Sequence, residues 1–171
     1  MPNWAEGNIR LRGKRENIIH FLQEELKGIY ELRDNETEER PIMLEPNCGG
    51  NELILRRDPD TSNFVYFCGS NRQFIDFDGE YEISAEFSND MKHQREDNVL
   101  YIPNFNGAWS IDTEFFRRKA MQYKIDIRVF VWEMGMEWSS VTTWYRTGET
   151  DESHRKYADW LWDSSMPYLG G

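Results

Sequence analysis

Four basic residues are clustered near the start of the sequence. Arg10 and Arg12 alternate with apolar residues, and Lys14 and Arg15 follow at the predicted junction of a strand with a helix. The side chains of Arg10 and Arg12 would share one strand face, and the start of the helix would add a partial positive charge. With Trp4, whose ring could stack on a base, this group could bind the phosphates of RNA or DNA. The alternative is an exposed strand face whose arginines pair with carboxylates elsewhere.

A second charged group consists of Asp76, Asp78, Glu80 and Glu82. A spacing of two residues places carboxylates on one face of an extended segment. There they could imitate a row of phosphates and bind a basic groove of a partner protein. Asp76 and Asp78 could alternatively bind a metal ion, although Asp78-Gly79 is more typical of a turn. The remaining interpretation is a solvent-facing row on an amphipathic sheet.

The histidines offer two acid–base pairs for catalysis. His93 lies near Glu96, and His154 lies near Asp151 and Glu152. Either pair could serve a small RNA-cleaving nuclease, but both lie in polar segments. The sequence contains no nucleophile elbow, no phosphate-binding loop and no His/Glu zinc motif. We therefore predict no catalytic residues, no metal and no cofactor, and keep the nuclease as the alternative.

Tryptophans are concentrated in the last part of the sequence, where Trp138 and Trp144 share strand parity. Tryptophan is enriched at protein interfaces, so these two residues could form an interface with a protein partner or a second copy of the chain. The alternative is that both belong to the core.

Composition favours a globular protein of the cytoplasm. Aromatic residues make up 15 % of the 171 residues, and 31 acidic against 20 basic residues give a net charge of −11. This charge opposes non-specific attraction to nucleic acid or anionic membranes. No apolar run approaches the roughly 18–20 residues of a membrane span, and no signal peptide is visible. Cys48 and Cys68 are expected to be free thiols.

The first third of the sequence predicts a strand, a helix and a loop. Residues 8–12 alternate as a half-buried strand that Gly13 ends. Apolar residues then follow helical spacing at Ile18, Leu22, Leu26 and Ile29, which predicts a helix ending near Gly28. The acid-rich segment 34–50, with its prolines and glycines, predicts a flexible loop.

The remaining sequence predicts strands on either side of a second helix. Short runs at 52–57, 63–68, 72–77 and 80–87 indicate an antiparallel meander, with a hairpin turn at Asp78-Gly79. Ser110 or Asp112 would cap the second helix, whose apolar face holds Phe116, Ala120 and Tyr123. The later strands are predicted at 99–102, at 125–131 with cover on both faces, at 138–146, and at 157–162 on an edge.

This order of elements predicts one α+β domain spanning residues 1–171. Helices on one face of an antiparallel sheet are an economical packing. We therefore predict a ferredoxin-like sheet with two helices on one face and an inserted β-meander.

Three segments carry a resemblance to a known family. They are Met1-Pro2-Asn3-Trp4-Ala5-Glu6-Gly7, the stretch Asn106-Gly107-Ala108-Trp109-Ser110-Ile111-Asp112, and Pro167-Tyr168-Leu169-Gly170-Gly171. The chain resembles small proteins encoded by plasmids, phages and integrative elements of Gram-positive bacteria, near the YubB-like ferredoxin-like proteins.

The resemblance implies a ferredoxin-like fold and, because anti-CRISPR proteins come from such elements, an inhibitory function. The expected partner is a type II CRISPR effector protein, its guide RNA, or both. The alternatives are the nuclease and an accessory binding module of a conjugative element.

Overall fold

The computed structural model describes residues 4–31, 36–46, 50–70, 72–89, 97–108 and 110–164. Within these ranges the chain forms twelve strands and three helices, and all the strand pairs are antiparallel. The strands are β1 (Trp4–Gly13), β2 (Leu26–Glu31), β3 (Thr37–Pro41), β4 (Met43–Pro46), β5 (Glu52–Arg56), β6 (Thr61–Phe67), β7 (Gln73–Asp76), β8 (Glu82–Asn89), β9 (Asn98–Ala108), β10 (Asp126–Glu133), β11 (Trp138–Trp144) and β12 (Thr150–Lys156). The helices are α1 (Arg15–Glu25), α2 (Thr113–Tyr123) and α3 (Trp160–Asp163).

The sheet divides at the long strand β9. Its main path runs β12-β11-β10-β1-β9-β7-β6-β2-β3. One edge of β9 pairs with β1, whereas the other edge pairs with β8 near Leu100 and with β7 near Phe105. The β8 branch continues through β5 to β4.

Strand β1 lies near the centre of the sheet, where it pairs with β10 on one side and β9 on the other. Ile9 and Leu11 are fully buried, as the alternating pattern predicts. A Cβ atom at Gly7 would lie 1.8 Å from the carbonyl oxygen of Phe130, so only glycine fits opposite β10 at this point. The predicted strand is therefore confirmed and is longer than residues 8–12.

Helix α2 packs its apolar face against the sheet, as predicted. Asp112 caps it by accepting a hydrogen bond from the Phe115 backbone N–H at 3.0 Å. Lys124 ends it in the left-handed conformation, with φ 55°. Phe116 is fully buried and stacks on Trp144, with ring centroids 5.1 Å apart.

The ferredoxin-like prediction is wrong. Strands outnumber helices by twelve to three in the described residues, and the predicted meander is not an insertion. Its strands β7 and β8 both pair with β9, so they extend the sheet that β1 and β10 begin. The protein is a mostly antiparallel β-structure.

Several predicted boundaries are also wrong. The helix ends at Glu25, and Leu26 begins β2, which pairs with β6. The predicted loop at 34–50 contains β3 and β4. Asp78 and Gly79 do form a turn, with φ 50° and 82°, but the flanking strands β7 and β8 pair with other strands and form no hairpin.

The end of the described chain differs from the prediction as well. The polar segment 150–156 is the edge strand β12, because its backbone pairs with β11 along seven residues. Residues 160–163 form α3 and not a strand. Strand β10 was predicted to be covered on both faces, but Arg128 is exposed and Phe130 and Trp132 are only half-buried.

Candidate nucleic-acid interface

One face of strands β1, β9 and β10 points away from α1 and α2. We call it the open face and define it by Asn8, Arg10, Tyr101, Arg128 and Phe130. The strand register places Asn8 opposite Phe130, and Arg10 opposite both Arg128 and Tyr101. The neighbouring residues on these strands, such as Ile9 and Val129, point into the core. The open face is therefore the polar and aromatic side of the central sheet.

Arg10 and Arg128 face each other across two adjacent strands. Both are exposed, and within the described residues neither side chain makes an ion pair or a hydrogen bond. The guanidinium carbon of Arg10 lies 5.6 Å from the ring centroid of Tyr101, a cation–π contact that leaves its N–H donors available. Like charges directly opposite each other destabilise an antiparallel pair, so an anion bound between these arginines would relieve repulsion.

The arginine pair separates two hollows in the open face. The first, of about 210 Å³, also contains Thr143 and Tyr145. The second, of about 150 Å³, contains Asn8 and Phe130. An anion bound by the arginines could thus belong to a longer ligand whose neighbouring groups occupy either hollow.

Aromatic rings lie along the open face and beyond it. Tyr101 is 44 % exposed beside Arg10, and the half-buried Phe130 lies against Trp132 with ring centroids 5.4 Å apart. Trp4 is 39 % exposed and meets Phe74 edge-on at 5.2 Å, but it lies at the far end of β1, roughly 20 Å from Arg10. Rings next to guanidinium groups are the combination that recognises single-stranded nucleic acid, where bases stack and phosphates pair with arginine.

Arg12 lies at the edge of the open face, where it holds the buried carboxylate of Asp126. Its Nε and Nη2 atoms lie 2.9 and 2.8 Å from Asp126 Oδ2. Arg146 binds the same carboxylate through its backbone N–H and its guanidinium, and also pairs with Asp97 at 3.0 Å. Burial opposes ionisation of Asp126, but the hydrogen bonds from Arg146 and Arg12 outweigh it, so the pKa of Asp126 lies below its ordinary value.

The other two residues of the predicted basic cluster, Lys14 and Arg15, lie in different environments. Lys14 is exposed just before α1. Arg15 is directed elsewhere: it donates to the Gly50 carbonyl oxygen at 3.2 Å, and its guanidinium carbon lies 4.6 Å from the centroid of the Phe87 ring. Only Arg10 and Arg12 of this cluster thus lie together beside Arg128.

The predicted row of acidic residues is also divided. Glu82 pairs with Arg56 at 2.7 Å on β8. Asp76 and Asp78 line a separate hollow of about 270 Å³ together with Glu6. Burial, followed by the charge of Asp76, raises the pKa of Glu6.

Glu80, the remaining member of that row, lies in the turn between β7 and β8, where its carbonyl oxygen accepts a hydrogen bond from Arg57 at 2.7 Å. The four carboxylates therefore do not form one continuous row. In the described part of the chain, no group of three His, Cys, Asp or Glu side chains is placed to bind a metal ion.

The two tryptophans predicted as an interface lie in different environments. Trp144 is fully buried, so the interface prediction is wrong for this residue. Trp138 is partly buried, packs against the core, and stacks on His154 with centroids 5.5 Å apart.

Of the two predicted histidine pairs, only the one at His154 lies within the described residues. His93, Glu96 and Cys48 lie outside the described residues. His154 shares a sheet face with Glu152, because the two are next-but-one neighbours on β12, whereas Asp151 points to the opposite face. Cys68 is a free thiol.

Sequence reasoning missed Arg128 and Tyr101. The available signal was the alternation of β10, in which Arg128, Phe130 and Trp132 share the face opposite Ile127 and Val129. An arginine on a face that was predicted to be covered indicates an open face.

None of the helices in the described ranges has the length and apolar character needed to cross a membrane. No family model matches the chain, and no match was found among curated proteins or solved structures. The resemblance to mobile-element proteins therefore stays a prediction, and the open face is the starting point for a proposed function.

Proposed function

We propose that this protein is a non-enzymatic binding protein that holds single-stranded RNA on its open face. The observation that carries the proposal is the facing pair Arg10 and Arg128, which has no acidic partner in the described part of the chain. Guanidinium groups bind phosphate oxygens through two parallel hydrogen bonds. A phosphate seated between the two arginines would accept hydrogen bonds from both and neutralise one of their two charges.

The aromatic rings extend this phosphate site into a strand-binding surface. Tyr101 lies beside Arg10 on β9, and Phe130 lies two residues from Arg128 along β10. Each ring could receive a base. Stacking of this kind contributes about 1–3 kcal/mol per base. Because the net charge is −11, long-range attraction opposes binding, so affinity must come from these close contacts.

The resemblance to mobile-element proteins supplies the proposed target. We propose the guide RNA of a type II CRISPR effector, bound free or within the effector, which would make this protein a cytoplasmic inhibitor of that effector. The same contacts could serve an accessory binding module of a conjugative element. Preference for the guide RNA over an unrelated RNA would distinguish the inhibitor from such a module.

RNA binding can be measured by fluorescence anisotropy with a labelled guide RNA and an unrelated single-stranded RNA. Arg10→Glu and Arg128→Glu should each weaken binding at least about tenfold, because each reverses a phosphate contact. Arg118→Glu is the control, since it makes the same charge change at an exposed site on α2. With one phosphate bound between the two arginines, log K should fall with log salt at a slope of about −0.7.

Equal losses in all three variants would refute a local site, because they would reflect net charge alone. Cleavage of the RNA in buffer containing EDTA would refute the non-enzymatic proposal in favour of the nuclease. The inhibitor proposal needs one further experiment, co-purification with a type II effector with and without guide RNA. Absence of any interaction in both states would refute it while leaving RNA binding by the open face intact.

A further inference from the structure

A polar cavity of about 330 Å³ lies beside the start of α2, on the side of β11 and β12 that faces the helices. Its floor is formed by Ser140 and Thr142 of β11. Its wall is formed by Trp138 and His154, whose rings are stacked with 26° between their planes. Glu152 completes the β12 side. The open face contributes none of these residues.

Two hydroxyl groups form the floor of this cavity. Ser140 is 8 % exposed and Thr142 is 5 % exposed, and neither side chain forms a hydrogen bond with any described residue. Both hydroxyls line the cavity and stay open to solvent through it. A ligand that displaces the water there must therefore replace its hydrogen bonds to both hydroxyls.

The lining selects the chemistry of that molecule. Among the described residues, no lysine or arginine lines the cavity, and Glu152 contributes a carboxylate, so an anion is disfavoured. An apolar molecule is disfavoured as well, because it would leave the floor hydroxyls unpaired. Hydroxyls both donate and accept, and a carboxylate accepts from O–H groups. The matching ligand is neutral and carries several hydroxyl groups.

We propose that this cavity binds a sugar ring. Its hydroxyls would pair with Ser140, Thr142 and Glu152, and its ring would lie along the wall formed by Trp138 and His154. The sugar could come from a free carbohydrate or from the ribose of a nucleotide, which share this chemistry.

The proposal can be tested by titrating the ¹⁵N-labelled protein with methyl β-D-ribofuranoside and, separately, with methyl α-D-glucopyranoside. At least one glycoside should give saturable shifts of the Trp138 indole and the Thr142 and His154 amide signals. The glycoside that binds more tightly identifies the source. Adenine is the third probe, and shifts with adenine alone would overturn the proposal.

Thr142→Val and Ser140→Ala should each weaken glycoside binding at least about fivefold, because each removes a hydrogen-bonding hydroxyl. Ser153→Ala is the matched control, since Ser153 adjoins His154 but points to the opposite sheet face. Neither floor variant should lower Tm by more than about 2 °C, because neither hydroxyl has a hydrogen-bond partner among the described residues to lose. The proposal is overturned if no glycoside shifts these signals, if a variant that carries both Thr142→Val and Ser140→Ala binds as well as the parent, or if the floor variants are strongly destabilised.

Discussion

Replacing Asp126 with asparagine should destabilise the protein more than any conservative change at an exposed acid. The Asp126 carboxylate is 6 % exposed and receives hydrogen bonds from two arginines. Arg12 contributes donors at 2.9 and 2.8 Å, and Arg146 contributes donors at 2.9, 3.0 and 3.2 Å. Asparagine removes the negative charge, and its side-chain NH₂ group would face the N–H donors of the two arginines.

The magnitude follows from the burial of the partners. Removing one member of a fully buried ion pair costs about 3–5 kcal/mol. Here the Arg12 and Arg146 side chains are 30 % and 27 % exposed, so water can solvate part of each guanidinium, and Asp97 still pairs with Arg146. We therefore expect a loss of roughly 2–3 kcal/mol in the free energy of unfolding, which lowers Tm by about 5–10 °C.

Urea denaturation and thermal melting at pH 7 measure this loss. Asp151→Asn is the matched control, because Asp151 is an exposed acid on β12 and should change the free energy by no more than about 0.5 kcal/mol. A loss below about 1 kcal/mol for Asp126→Asn, or equal losses for both variants, would refute the role of the Asp126 ion pairs.

Comparing the parent protein with Asp126→Asn at several pH values also tests the direction of the Asp126 pKa shift. Because hydrogen bonds from Arg146 and Arg12 lower this pKa in the folded state, the carboxylate contributes stability above its unfolded pKa of about 3.9. That contribution disappears as the pH falls through the folded pKa. The difference between the parent and Asp126→Asn should be constant from pH 5 to 7 and shrink below about pH 4. A difference that grows on acidification would contradict the assigned direction.

Three further predictions concern close packing and the thiol. Gly7→Ala should prevent folding or cost several kcal/mol, since its Cβ would lie 1.8 Å from the Phe130 carbonyl oxygen; the soluble folded yield and the circular dichroism spectrum report this. Phe116→Ala should cost about 3–5 kcal/mol in urea denaturation, because it empties a fully buried site. In a Cys48→Ser background, Cys68 should react with iodoacetamide at pH 8 about 100-fold more slowly than an ordinary thiol, because burial, followed by Glu39, raises its pKa to about 11. Native-like expression of Gly7→Ala, a loss under about 1 kcal/mol for Phe116→Ala, or an ordinary alkylation rate would contradict these predictions.

Local patterns predicted those elements whose signals are unambiguous. Ile9 and Leu11 alternate with polar residues over a segment bounded by Gly13, and only a strand buries them on one side. Helix α2 was predicted because Asp112 provides a cap and Phe116, Ala120 and Tyr123 have helical spacing. Its observed cap and buried face agree with both signals.

The end of α1 was missed because its pattern fits two structures. Ile18, Leu22 and Leu26 are four residues apart, and a spacing of four satisfies a helix and also preserves strand parity. From Leu26 the chain follows strand parity, so that Leu26 and Tyr30 are buried while Ile29 is only partly buried. The pairing of β2 with β6 decides between the two structures, and that partner lies far along the sequence.

The turn at Asp78-Gly79 shows a similar limit. The residues do adopt turn conformations, but the buried guanidinium of Arg57 donates to the carbonyl oxygens of Glu80 and Gly79. These hydrogen bonds attach the turn to Arg57, just after β5, and the flanking strands β7 and β8 pair with other strands. In the candidate site, Arg10 was recognised from the local cluster, whereas Arg128 required knowledge that β10 pairs with β1.

The central position of β1 has a consequence for how the chain folds during synthesis. Leu11 lies opposite Leu100 on one side and opposite Ile127 on the other, so both partners are made about a hundred residues later. At about 5–20 residues per second, the ribosome releases β1 many seconds before β10 can pair with it. During that interval both hydrogen-bonding edges of β1 are open, and contacts this distant slow folding. The nascent chain is therefore most exposed to misassociation and to chaperone binding at the strand that becomes the middle of the finished sheet.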